Sequence, residues 1–198
     1  MTQDASEDPG TRLMLAYQAG HEQAFDRLVE RYGGAVFGLL TRFLGPAPAR
    51  EDLVQEVFLR VLRARERYQP TASFSTWLYR IVFNLCVNER DRRSGRDASL
   101  EALAAPESGP SAEWADERTA APWEHMDRQD VVRAVRAAIA ALPERQRMAL
   151  VLARYEELSY AEIAHVLSST ERAVKSLVHR ARENLRASLA PFLQEETA

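Results

Sequence analysis

The sequence predicts an all-α protein of two small helical domains joined by an acidic flexible linker. Three observations carry that class. Apolar residues recur at i, i+3 and i+4 through both ends of the chain. Gly and Pro end those runs at short turns, as at Gly45, Pro46 and Pro48. The charge is uneven: residues 96–127 carry 2 basic and 8 acidic side chains, against 13 and 12 in residues 1–95 and 11 and 9 in residues 128–198.

The first 12 residues, beginning MTQDASEDPG, are polar and acidic, which suits a disordered tail and not a signal peptide. Residues 13–95 form the first domain. In HEQAFDRLVERYGGAVFGLLTRFLG, Phe25, Leu28, Val29, Tyr32, Val36, Leu39, Leu40 and Phe43 share helical spacing. A second helix, AREDLVQEVFLRVLRARERY, turns Leu53, Val57, Phe58, Val61 and Leu62 inward and shows Asp52, Gln55, Glu56 and Arg60 outward. The loop at 69–73 leads into FSTWLYRIVFNLCVNERDRR. There Leu78, Ile81, Val82 and Leu85 fall on one side, and Trp77, Arg80, Asn84 and Asn88 on the other. A flat ring, a guanidinium and two amides are groups that stack on bases and bond their edges. The alternative is an amphipathic helix with a partly buried Trp and a solvated polar face. Helices joined by such short turns make a bundle.

Residues 96–127 contain Pro106, Pro110 and Pro122 and no sustained apolar period, so they read as a linker. Trp114 and Trp123 are unusual there and suit either docking on a neighbouring surface or anchoring the connector to a domain. Residues 128–192 form the second domain, followed by a tail at 193–198. Val131, Val132, Val135 and Ile139 mark one helix, closed by Pro143, and Met148, Leu150, Val151 and Leu152 the next. In LSYAEIAHVLSSTERAVKSLVHRARENLR, Ser159 caps a short helix bearing Ile163, Ala164 and Leu167. Ser168 and Glu171 then stand at capping-box spacing before a longer helix that buries Val174, Leu177, Val178 and Leu185. Helix, tight turn and longer polar helix are the pattern of a helix-turn-helix, whose second helix enters the major groove. Ser169, Thr170, Arg172, Lys175, Ser176, His179, Arg180 and Arg182 stand ready for phosphates or base edges. A plain helical hairpin with a basic face is the competing reading.

Composition narrows the function classes. Hydrophobic content of 46% and charged content of 28% are ordinary globular values. The longest apolar runs, at 35–40 and 148–153, are too short to cross a bilayer, so no membrane insertion is expected. Cys86 is the only cysteine, which suits a reducing cytoplasm and a packed thiol. Of the 26 basic residues only Lys175 is not Arg, and Arg suits phosphate and base contacts. No P-loop, cysteine cluster or metal-ligand spacing among His21, His125, His165 and His179 points to an enzyme, a metal or a cofactor.

The motifs DLVQEVFLRVLR, FSTWLYRIVFN, LPERQRMALVL and LSYAEIAHVL…AVKS…HRAR occur in the order found in sigma-70-family initiation factors, and the chain resembles their minimal extracytoplasmic-function (ECF) class. The resemblance implies a sigma region 2 bundle at 13–95 and a region 4 helix-turn-helix at 128–192. It implies that Asp52, Gln55, Glu56 and Arg60 bind the clamp helices of the core polymerase β′ subunit, with the β flap as a further contact. It implies that Gln69, Thr71, Ser73, Phe74, Trp77, Arg80, Asn84, Asn88, Arg90, Arg92 and Arg93 open the minus-10 element and hold a base outside the stack. Trp77 either supports the opened strand or is structural. The minus-35 element would fall to the helix-turn-helix residues named above. An anti-sigma factor is a further implied partner, and the acidic linker would thread polymerase channels as an RNA mimic.

The resemblance has departures. Where the family turn carries an apolar residue and Gly before Thr-Val-Lys-Ser-Arg, this chain has Glu171, Arg172 and Ala173, and Leu177 replaces the final Arg. An unusual minus-35 preference, or weaker dependence on that element, is expected. A stand-alone helix-turn-helix regulator binding duplex DNA would explain the second domain but not the aromatic–Asn helix. A sigma mimic that titrates regulators is a third possibility.

Overall fold

The computed structural model describes residues 8–45, 50–103 and 128–193, with side chains described outside 93–130 and 191–193. No strand occurs among the described residues. The first unit contains α1 (Pro9–Gln18), α2 (Gln23–Leu44), α3 (Arg50–Arg63), a 3-10 turn (Arg65–Arg67) and α4 (Phe74–Leu103). The second contains α5 (Arg128–Ala141), α6 (Glu144–Tyr155), α7 (Tyr160–Val166) and α8 (Glu171–Leu193).

The tail expected over residues 1–12 ends sooner, because α1 starts at Pro9. The cause is local: Asp8 caps the helix, accepting from the Thr11 amide at 2.8 Å, and Pro in the first turn is pre-set for it. At the other boundary, α4 runs on to Leu103, into the segment read as linker. Trp114 and Trp123 lie outside the described residues.

Stripe positions explain the core. Leu28, Tyr32, Val36, Leu39, Leu40 and Phe43 of α2 are buried, as are Leu53, Val57, Phe58 and Val61 of α3 and Leu78, Val82 and Leu85 of α4. Val29 and Leu62, expected on those stripes, are exposed instead. Each follows a buried residue directly, which at 3.6 residues per turn puts it about 100° off the buried side. Val131 and Val132 on α5 are also exposed. Gly45 ends α2 at φ 73°, a left-handed conformation that suits glycine.

The second unit has the predicted helix-turn-helix. Ser159 and Glu162 form a reciprocal capping box at the start of α7. The cap expected from Ser168 is supplied by Thr170, whose Oγ1 accepts from the Ala173 amide at 3.2 Å. Ser168 instead takes φ 47° just past α7, where the chain reverses and Ser169 N–H returns to the Ala164 carbonyl at 2.9 Å. Buried residues of both units belong to one continuous apolar cluster, with α6 packed on α2 and α7 on α4.

Candidate nucleic-acid and polymerase interface

The start of α4 is tied down before it is polar. Ser73 caps it, accepting from the Thr76 amide at 3.3 Å and pairing with Thr76 Oγ1 at 2.8 Å. Asp8 Oδ2 accepts from the Phe74 amide at 3.0 Å, so one carboxylate serves the first turns of α1 and α4. Phe74 is fully buried among Tyr32, Tyr68 and Trp77, with ring centroids 5.0, 6.2 and 5.6 Å away. The sequence puts it among the DNA-contacting residues; it is a core anchor, because the first turn of α4 points inward beneath α1. Ser73, expected in the same set, has its hydroxyl engaged as the cap.

Trp77 is half-buried, its ring edge-on to Tyr68 at 4.9 Å. It packs and still presents a margin to solvent. Beyond it, Arg80, Asn84 and Asn88 are exposed at successive turns of α4, and Gln69 and Thr71 are exposed in the loop before it. The 4-residue spacing of Arg80, Asn84 and Asn88 puts these three on one exposed face of α4, with Gln69 and Thr71 in the loop that leads into that helix. Arg90 is not free: its Nη1 lies 3.2 Å from Glu144 of α6. Arg92 pairs with Glu89 at 2.9 Å, one turn back on the same helix. The Arg93 side chain lies outside the described residues.

On α3, Asp52 and Gln55 are exposed, while Glu56 accepts from Arg60 Nε at 2.8 Å and lies 3.7 Å from Arg63. The Arg60 hydrogen bond holds the Glu56 carboxyl below its usual value. Arg60 also borders an open cleft of about 540 Å³ shared with Phe83, Asn84, Val87, Asn88, Glu144 and Arg145. Arg60, expected to meet polymerase, therefore shares a cleft with Asn84 and Asn88, expected to meet DNA.

On α8, Arg172, Lys175, Ser176, His179, Arg180 and Arg182 are all exposed; Arg172, Ser176, His179 and Arg180 lie away from buried Val174, Val178 and Ala181, and Lys175 and Arg182 flank that buried stripe. His179 Nε2 lies 3.4 Å from Glu183. Glu171 is an exposed first-turn acid, favourable to the helix dipole. Leu177 is half-buried, so the missing guanidinium is replaced by packing. Thr170 spends its hydroxyl on the cap, and Ser169 is half-buried in the turn.

The sequence reading missed the residues that join the two units. Arg147 of α6 is buried; its Nη1 donates to the Phe43 carbonyl at 2.6 Å, and its Nη2 donates to the carbonyls of Leu142 at 3.0 Å and Ala140. One guanidinium so satisfies carbonyls left open at the ends of α2 and α5. Tyr79 donates to Glu156 Oε2 at 2.6 Å, and Arg42 stacks 4.4 Å over the Tyr155 ring. Burial and the Glu156 carboxylate push the Tyr79 hydroxyl well above its usual value, so it stays a neutral donor. Burial pushes the Cys86 thiol up to about 12, which makes it a packed residue and not a nucleophile. No cluster of metal-ligating side chains occurs among the described residues, and no helix there is long and apolar enough to cross a membrane.

Known proteins share both the motifs and this arrangement. Residues 28–96 match the Sigma-70 region 2 family and residues 132–185 match Sigma-70, region 4, together more than half of the chain. The RNA polymerase sigma-H factor of Pseudomonas aeruginosa is 33% identical over 190 residues, spanning 96% of this chain and 98% of that one. The ECF RNA polymerase sigma-E factor of Escherichia coli K12 is 32% identical over 182 residues, spanning 92% and 95%. The solved structure of CnrH in complex with the cytosolic domain of CnrY superposes with a TM-score of 0.67 at 26% identity, covering 93% of this chain and 99% of that one. The chain belongs to the sigma-70 family of RNA polymerase initiation factors, in its extracytoplasmic-function class.

Proposed function

We propose that this sigma factor divides its work among three surfaces. The α3 face of Asp52, Gln55, Glu56 and Arg60 engages core polymerase at the β′ clamp helices, and the second unit meets the β flap. Gln69, Thr71, Trp77, Arg80, Asn84 and Asn88 hold the opened minus-10 strand. The exposed side of α8 reads the minus-35 duplex. The observation that carries this reading is the line of Arg80, Asn84 and Asn88 at successive exposed turns of a helix that follows an exposed polar loop and carries a half-buried Trp. Extruding a base costs a few kcal/mol, and amides, a ring and a guanidinium at one site supply compensating contacts. No group in the chain is assigned to chemistry; the polymerase makes the phosphodiester bonds.

The working units are 13–95 and 128–192, bridged by the acidic segment 96–127, and the protein acts in the cytoplasm. An anti-sigma protein is its expected inhibitor, a reading supported by the CnrH relative having been solved with the cytosolic domain of CnrY. The test is in vitro transcription with bacterial core polymerase and fragmented genomic DNA, followed by mapping of transcript starts. Starts sharing upstream motifs, lost in an Asn84→Ala/Asn88→Ala variant that still binds core, support the assignment. Starts undiminished in that variant remove those residues from strand capture. Failure of the wild-type chain to bind core would leave a duplex-DNA regulator as the better account.

A further inference from the structure

The loop before α4 is held by α1, a helix that carries none of the residues assigned to DNA. Gln18, the last residue of α1, turns its side-chain amide toward the carbonyls of Arg65, Glu66 and Tyr68, at 3.0, 3.3 and 3.4 Å. Only the NH2 end suits three acceptors, and its two hydrogens are shared among them. Arg65 itself stacks 4.3 Å over the Tyr17 ring and pairs with Glu22 at 2.8 Å. Tyr68 is buried, and its hydroxyl lies 3.3 Å from Thr11 Oγ1. Thr11 gives its own proton to Asp8 Oδ2, so Tyr68 is the donor to Thr11, and that same Asp8 oxygen takes the Phe74 amide. Entry to and exit from residues 69–73 are thus both fixed on α1. Between them the Thr71 amide donates to the Gln69 carbonyl at 2.8 Å, closing a three-residue turn on Pro70. The ring holds φ at about −65°, close to what the common form of such a turn needs. Gln69, Pro70 and Thr71 are exposed at the tip.

We propose that Gln18 is a positioning residue for minus-10 recognition. It touches no DNA. By fixing the backbone that leads into Gln69 and Thr71 it aims their side chains, so a base leaving the stack meets a turn already shaped for it. Such a turn loses little freedom on binding and does not remould itself around a base that fits badly. The inference rests on the strand-holding reading of Gln69 and Thr71.

The test uses holoenzyme made with the full chain and a promoter taken from the transcript-start mapping, randomised in turn across its minus-10 and minus-35 elements. Heparin-resistant open complexes, recovered and sequenced, give the preference at each position. A good base contact discriminates about 5- to 150-fold, and Gln18→Met should lower that ratio at the captured position at least about threefold. Core affinity and the minus-35 preference should stay as in the wild type. Pro70→Gly leaves every α1 bond in place and should flatten the same position. Opening reduced by one common factor for all sequences, or a preference unchanged in Gln18→Met, overturns the positioning role. Full preference in Pro70→Gly overturns the preshaped turn even where Gln18→Met fails to fold. Gln69→Ala/Thr71→Ala separates the two levels: a preference that survives this change removes the strand-holding reading, and the inference with it. A preference lost there but kept in Gln18→Met removes the inference alone.

Discussion

Asp8 and Phe74 are 66 residues apart in sequence, yet the Asp8 carboxylate accepts the Phe74 amide at 3.0 Å. The same Oδ2 accepts the Thr11 amide and hydroxyl at 2.8 and 3.0 Å. The residue just before α1 thus fixes where α4 begins. Replacing Asp8 with Ala should cost about 1–2 kcal/mol, the usual range for a lost cap. Urea denaturation gives that number, and hydrogen exchange should show the amides of residues 73–76 exchanging faster.

Gly10 sits where no side chain fits. A Cβ there would meet Phe74 Cβ at 2.8 Å and press on the Tyr32 hydroxyl. Gly10→Ala should therefore destabilise by about 1–3 kcal/mol through overpacking, despite the better helix propensity of Ala. A melting temperature unchanged or raised would show that α1 can shift away from α4.

Phe74 and Asn84 should separate fold from function. Phe74→Ala removes a fully buried ring and should cost about 3–5 kcal/mol in denaturant unfolding. Asn84→Ala removes an exposed amide, should change stability by less than about 0.5 kcal/mol, and should still abolish promoter opening by the holoenzyme. Permanganate footprinting of unpaired thymines reads the opening directly.

Alkaline pH should weaken the fold. The hydroxyls of Tyr32, Tyr68 and Tyr79 and the Cys86 thiol all have raised values, with burial the largest cause for each. Each is neutral when protonated, so the unfolded state loses its protons first as pH rises. Their contribution is fully present below the unfolded values, about 8.5 for Cys and 10 for Tyr, and is lost as pH climbs through the folded ones. Unfolding free energy measured by urea should be flat from pH 7 to 8 and fall above about 9. Tyr79→Phe with Cys86→Ala should flatten the decline.

Salt should expose the division of labour on α8. Lys175→Ala or Arg182→Ala in holoenzyme should weaken binding to a minus-35 duplex. Either should also shallow the slope of log affinity against log salt by about 0.9 for each phosphate no longer neutralised. An unchanged slope would remove that side chain from the phosphate-binding set.

Local chemistry was the legible part of this molecule. The Ser159 cap, the Gly45 stop and most of the apolar stripe positions are each set by residues within a few positions, and these stand where the spacing put them, Val29, Leu62, Val131 and Val132 excepted. Ser168 and Phe74 show the limit. A Ser three residues before a Glu reads as a cap until the preceding helix claims that Ser for its own reversal. A ring beside a polar loop reads as exposed until Asp8 and Gly10 draw α1 over it. Arg147–Phe43 and Tyr79–Glu156 span 104 and 77 residues, beyond any periodic signal. The one clue was Arg147 itself, a charge beside Met148 and Val151 on an apolar stripe.

The apolar cluster that passes without a break from α2 and α4 into α6 and α7 makes each half of the chain a template for the other. A chain severed within residues 104–127 would leave two fragments with matching oily seams and matching hydrogen-bond stubs. Produced separately, the fragments should reassemble on mixing, a split protein whose complementation needs no covalent link. The strength of that reunion, titrated fragment against fragment, would measure how tightly the two units hold one another.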